Sequence, residues 1–165
     1  MKKFELTNEF VTFLGKKLFR IKALISFGNV KEGELGGYVE KEENLSNDGN
    51  AWVYGDARVY GNAEVSGDAR VYGNARVFGD AEVSGNARVF GNADYATVQG
   101  FGSEYRATTF FRTKAGDIGV RCGCFYGTLD DFRKKVKETH GDSKTAKEYL
   151  MVADLMEFRF SKEEA

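Results

Sequence analysis

Seven six-residue blocks follow one another without interruption from Trp52 to Ala93, and no other feature of the chain restricts its fold as tightly. They read WVYGDA, RVYGNA, EVSGDA, RVYGNA, RVFGDA, EVSGNA and RVFGNA. Valine falls at 53, 59, 65, 71, 77, 83 and 89, and Gly-Asp or Gly-Asn begins two residues after each valine. Self-similarity at a fixed short period marks a repeat architecture. Each alanine stands two residues before the next valine, so in an extended strand both point to one side. The residues between and after them point to the other. Those before each valine are Trp52, Arg58, Glu64, Arg70, Arg76, Glu82 and Arg88, and those after are Tyr54, Tyr60, Ser66, Tyr72, Phe78, Ser84 and Phe90.

Glycine followed by Asn or Asp turns a corner readily, because both tolerate positive φ. The chain has no proline and 20 glycines, so its corners depend on this pair. Each block is therefore a short strand and a sharp corner. An array of hairpins would need strands of about five residues; four-residue strands with identical corners favour coiling. The pattern V-x-G-[DN]-A-x resembles the hexapeptide repeat of left-handed parallel β-helices. That resemblance implies the left hand and three blocks per turn, whereas strand physics alone favours a right-handed crossover.

The outer residues carry a second period of 18. Glu64-Val65-Ser66 recurs as Glu82-Val83-Ser84, Arg70-Val71-Tyr72 as Arg88-Val89-Phe90, and Arg58-Val59-Tyr60 as Arg76-Val77-Phe78. Three blocks per turn would stack these sets roughly 4.8 Å apart. One column then holds Trp52, Tyr54, Arg70, Tyr72, Arg88 and Phe90, the next Arg58, Tyr60, Arg76 and Phe78, and the third Glu64, Ser66, Glu82 and Ser84. Contiguous exposed aromatic surface marks an interface, and a closed ring uses two different patches per subunit. Two aromatic, basic columns and one small, acidic column fit a homotrimer, with Trp52, Tyr54, Tyr60, Tyr72, Phe78 and Phe90 at the interface. Arginine and aromatic columns also suit a nucleotide or nucleic-acid platform.

Residues 1–44 read as a β cap, which a repeat stack needs at its open end. Phe10–Leu14, a Gly15-Lys16 turn and Lys17–Ile21 form a hairpin in this reading. Val39, Leu45 and Ala51 are six apart and lead into the coil, assigned to 45–98. Arg20-Ile21-Lys22-Ala23-Leu24, Gly33-Glu34-Leu35-Gly36-Gly37-Tyr38 and Glu42-Glu43-Asn44-Leu45-Ser46, ahead of AWVYGDARVYGNA, resemble phage, prophage and bacterial hexapeptide-repeat proteins of the polymer-forming type. The resemblance covers roughly residues 17–95 and implies a fold and a phage association, with little about activity.

After Ala93 the period fails, and Gln99–Ser103 reads as a linker to a C-terminal α/β domain over 99–165. Tyr105–Arg112 and Ile118–Cys122 read as strands joined by a turn at 114–117. Thr128 caps a helix with Leu129, Phe132 and Val136 as its apolar stripe, ended by Gly141. Asp142 or Ser143 caps a second helix that buries some of Ala146, Tyr149, Leu150, Ala153 and Met156. The expected fold is thus mainly β: a left-handed β-helix of about three coils, an N-terminal β cap and a small ββαα unit. Such a unit of about 60 residues is marginal alone, so it should pack on the coil or on its own copies.

Catalytic residues are scarce. His140 is the single histidine, placed at a helix end outside the coil. Hexapeptide acyltransferases typically use a histidine beside the β-helix, and a carbonic-anhydrase-like zinc site needs about three. Cys122 and Cys124 lack further ligands nearby, so no metal or cofactor is expected. A phosphate site is conceivable where Arg121–Thr128 reads as strand, glycine-bearing loop and helix start. There Gly123 and Thr128 would offer backbone N–H groups, Arg112 and Arg121 charge, and Phe125 or Tyr126 a stacking ring. The spacing matches no nucleotide fingerprint. Formal net charge is −1, giving no global pull on nucleic acid or membrane. No signal-peptide or membrane-spanning pattern is present, and two closely spaced cysteines suit a reducing compartment. These readings lead to a non-enzymatic homotrimer in a bacterial cytoplasm, phage-encoded, sequestering a nucleotide-type ligand or blocking a host defence protein. The alternatives are a structural scaffold without ligand and a hexapeptide-type acyltransferase.

Overall fold

The computed structural model describes residues 2–161. The seven repeat valines are fully buried, as are the alanines from Ala57 to Ala87. Their strands are two residues long rather than four: β4 (Trp52–Val53), β5 (Arg58–Val59), β6 (Glu64–Val65), β7 (Arg70–Val71), β8 (Arg76–Val77), β9 (Glu82–Val83) and β10 (Arg88–Val89). The corner consumes the rest of each block, and its glycine sits at φ of 58–67° from Gly55 to Gly85, where a Cβ would be strained.

Three parallel ladders form: β4-β7-β10, β5-β8 and β6-β9. Arg70 pairs with Arg88, Arg58 with Arg76 and Glu64 with Glu82, so equivalent residues return to the same side every 18 positions. Small Ala and Val side chains fill the interior in layers, each buried valine contributing roughly 1.5–3 kcal/mol.

The coil begins inside the segment expected to be a cap. Strand β3 (Leu35–Val39) pairs in parallel with β5, Val39 facing Val59, and Leu45 bridges Val65. These pairs are 20 residues apart, not 18. After Leu45 the next valine position is Val53, eight residues on, so the expected unbroken spacing of Val39, Leu45 and Ala51 does not hold. Ala51 takes an alanine position, and the two extra residues belong to the broad corner at 46–50. Asn44 is buried at the preceding corner and donates to the carbonyls of Gly61 (3.2 Å) and Ala63 (2.8 Å) in the turn above.

Strands β1 (Phe4–Phe13) and β2 (Lys16–Ala23) make the expected hairpin, longer than foreseen. Its turn is Leu14-Gly15, both at positive φ, as a two-residue hairpin requires. Phe4, Ile21 and Val30 join the coil's core, and Phe4 and Phe27 pack edge-on against Trp52. Trp52 is therefore buried under the cap and belongs to no exposed column, in contrast to its expected place at an oligomer interface.

Lys3 closes the same end. Its ammonium donates to the carbonyls of Ala51 (2.9 Å) and Gly49 (3.4 Å) and lies 4.8 Å from the Phe27 ring centre. Burial outweighs Asp48 and Asp68 and lowers its pKa to about 8. Between that value and the ordinary lysine value the unfolded chain holds more protons, so stability should rise with pH across this window. The unfolding free energy from urea titrations is expected to increase from pH 7.5 to 10, by on the order of 1 kcal/mol or more. In Lys3→Met this part of the rise should vanish.

The other end is closed by a four-stranded antiparallel sheet in the order β11 (Tyr95–Val98), β12 (Thr108–Arg112), β13 (Ile118–Cys122), β14 (Phe125–Thr128). Two of these strands were not foreseen. Tyr95–Val98, assigned to the coil, pairs with β12, and Phe125–Thr128, read as a loop, pairs with β13. β12 starts at Thr108 rather than Tyr105. Helices α1 (Leu129–His140) and α2 (Lys144–Phe160) cover one face, capped by Thr128 and Ser143. Strand alternation divides the sheet. Phe110, Val120 and Phe125 meet the helices, while Phe111 joins the coil's core and plugs its end.

Candidate functional site

The six residues expected to bind phosphate do not converge as a set; Arg112 and Thr128 share a cleft of about 490 Å³, whose lining includes Asp117, Asp130 and Glu157. Arg121 pairs with Tyr126 across β13 and β14, on the face toward the coil. Its guanidinium reaches Glu82 at 3.3 Å, the end of the acidic column. Tyr126 stacks near Phe111 and accepts from the Asn86 amide at 3.4 Å. A Cβ on Gly85 would strike the Tyr126 hydroxyl, so the ring lies directly over a repeat corner. Phe125 points the other way and packs on Phe132. Gly123 occupies the β13–β14 turn, opposite in the hairpin from Thr128, which pairs with Gly119. Arg112 is held by Asp94 at 3.0 Å and lies over the Phe160 ring.

The helix start spends part of its donors on its own cap. The Thr128 hydroxyl accepts from the Asp131 amide, and the Asp131 carboxylate accepts from the Thr128 amide. This capping box uses two of the four free donors, and Asp130 adds a second negative charge in the first turn. The bonds to Thr128 also hold the Asp131 carboxyl below its usual range. The two arginines are struts that fasten the sheet to the coil. The Glu82 amide, which donates to the Thr109 hydroxyl at 2.9 Å, does the same. The acidic column in the sequence was the signal for this docking, with Arg121 as its complement.

The aromatic columns are real, but only one is open. Tyr60 and Phe78 stack with ring centres 5.4 Å apart. Phe13 of the hairpin lies edge-on to Tyr60 at 5.5 Å, and the guanidiniums of Arg58 and Arg76 sit 5.0 and 4.7 Å from the Phe13 ring centre. Tyr60 is thereby buried, while Phe78 stays exposed at the edge of this arrangement. Tyr54, Tyr72 and Phe90 form the second column, with centres 4.7 and 4.6 Å apart and planes within 13° and 7° of parallel. No residue of the chain roofs these rings among the described residues, and Phe90 is 62 % exposed. Burial in the stack raises the Tyr54 phenol, and the 3.4 Å bond to Tyr72 raises the pKa of Arg70. Arg88 donates to the Asp68 and Ala87 carbonyls.

Among the described residues, no group of three His, Cys, Asp or Glu side chains is placed to hold a metal ion. His140 ends α1 and stacks on Tyr149 at 5.8 Å, beside a small cleft of about 90 Å³ that Cys122 and Phe125 also line. No described helix is long and apolar enough to cross a membrane.

Residues 51–67 and 69–82 match a family model described as the YdcK beta solenoid repeat. The chain is a β-solenoid repeat protein. The matched segments end seven residues before the last repeat valine, Val89, so the comparison covers the central part of the solenoid and neither cap. No curated protein matches the chain.

Proposed function

We propose that this β-solenoid protein is a non-enzymatic, self-associating scaffold: a homotrimer of left-handed, hexapeptide-type coils joined through the open column of Tyr54, Tyr72 and Phe90 with Arg70 and Arg88. One observation carries the reading. The same repeat builds two aromatic, basic columns, and the described residues of the chain roof only one of them. The roofed column shows what such a surface accepts: an apolar ring laid edge-on, with two guanidiniums over its face, worth roughly 0.5–1.5 kcal/mol beyond area for the ring pair and about 0.5–2 for each cation–π contact. A neighbouring copy can supply that ring to the open column. Because the roofed and open columns differ, the proposed contact is heterologous, and a three-fold rotation between copies closes it into the trimer. Assembly in a bacterial cytoplasm and a phage origin fit the polymer-forming resemblance.

A second reading keeps a nucleotide-type ligand but moves it to this column. Three stacked, nearly parallel rings beside two arginines suit a planar anion. Sedimentation velocity separates the two. Phe90→Glu is expected to leave the fold intact, since the ring is mostly exposed, and to weaken trimer formation at least ~10-fold, as loss of a central aromatic anchor does. An unchanged mass would end the scaffold reading. A monomeric wild type that gains several degrees of melting temperature with a nucleoside phosphate would favour the ligand.

A further inference from the structure

Helix α2 is apolar on two opposite faces. Ala146, Tyr149, Val152, Ala153, Met156 and Phe160 are buried against the sheet and α1. At 100° per residue, Met151, Leu155 and Phe158 fall on the far side, and they are 71, 56 and 79 % exposed. Their 4-3 spacing is that of a coiled-coil seam. A helix apolar all round is normally covered on both sides, and here the second side has no cover from the described residues of the chain.

The charges beside this stripe point to a second copy as the occupant. On one flank Arg133 of α1 faces three carboxylates, Asp130, Asp154 and Glu157, leaving that flank negative. On the other flank Arg159 is exposed and makes no ion pair among the described residues. Nearer the start of α2, Lys147 lies on the first flank, while Glu148 stands one heptad before Leu155 and bounds the seam with a charge. Two parallel copies of α2 bring opposite signs together beside Leu155: Asp154 meets Arg159 of the second copy five residues on, as flanking charges do in parallel coiled coils. Antiparallel packing about Leu155 would set Asp154 against its own copy.

We infer that the outer stripe of α2 is a self-pairing seam, parallel in register, that joins the C-terminal caps of assembled copies. This deepens the self-association proposed above and adds a contact at a separate surface. Three residues make a seam too short to hold copies together alone, since coiled coils need several heptads; the seam therefore acts together with the coil contact. A cyclic axis running along α2 keeps its copies parallel, as a trimer requires.

The test uses the full chain with Cys122→Ser and Cys124→Ser, adding Met151→Cys, Leu155→Cys or Phe158→Cys singly. Under mild oxidation each is expected to crosslink with its own kind, because parallel register brings like positions within disulfide reach. Leu155→Glu, which keeps good helix propensity, should lower the sedimenting mass without changing the melting temperature by more than a few degrees. Crosslinking only between Met151→Cys and Phe158→Cys chains would overturn the parallel seam. So would an unchanged mass for Leu155→Glu, including a wild type that is monomeric throughout, which would leave the stripe to a different partner. Loss of mass in Leu155→Glu but not in Phe90→Glu would support the seam and move its companion contact away from the open column; the reverse result would overturn the seam and keep the column.

Discussion

Replacing Phe111 by alanine is expected to destabilise the protein by about 3–5 kcal/mol, the range for truncating a buried aromatic. Phe111 is fully buried and is the point where the C-terminal sheet enters the solenoid's core. Its ring also covers Gly119, where a Cβ would lie 2.4 Å from it. The Ala/Val layers beneath are thin, and small side chains cannot move far enough to refill the space. The loss should therefore approach the upper end of the range, read as a fall in urea midpoint. A second effect separates plugging from simple packing. Uncapping exposes the last ladder's backbone groups, which pair readily with other chains, so Phe111→Ala should aggregate at concentrations where wild type does not. Phe111→Leu should restore most of the stability and solubility. A Phe111→Ala chain as stable as wild type would mean that the sheet does not close the solenoid.

Trp52→Ala is expected to cost a similar 3–5 kcal/mol, because the ring is completely enclosed by Phe4, Phe27 and the first coil. Trp52→Phe should behave differently. The Trp52 Nε1 is buried without a hydrogen-bond partner, and an unsatisfied buried donor costs about 1–3 kcal/mol. Phenylalanine removes that donor while giving up part of the ring's area, so the two terms nearly offset and the variant should lie within about 1 kcal/mol of wild type. Chemical denaturation of both variants checks the pair. A Trp52→Phe chain as unstable as Trp52→Ala would show that the indole's full volume, not its donor, governs the site.

The repeat made the solenoid legible, because a strict period leaves few ways to bury every valine and alanine at once. The columns Arg70/Arg88, Arg58/Arg76 and Glu64/Glu82 followed directly from it. The helices were legible for local reasons: Thr128 with Asp131, Ser143 and Gly141 are caps whose chemistry acts within one turn. The short strand Phe125–Thr128 was not, since four residues beside a glycine carry no periodicity and take their structure from β13. A loop would have let Gly123 and Thr128 face one ligand, whereas a strand sets them at opposite ends and sends Phe125 and Tyr126 to opposite faces. The second apolar side of α2 was readable at helical spacing in Met151, Leu155 and Phe158, but only the fold shows which side its own sheet takes.

Taken alone, the order of residues determined the eighteen-residue return, the inward Ala and Val, the glycine corners and the two terminal helices, because each depends on neighbours within a turn or a strand. Tertiary structure decided which columns are free. The hairpin folds Phe13 over Tyr60 and the N-terminal cap encloses Trp52, while Arg112 and Arg121 are drawn to Asp94 and Glu82. These are contacts between segments distant in sequence, and no local pattern encodes which of two similar surfaces the chain covers with itself.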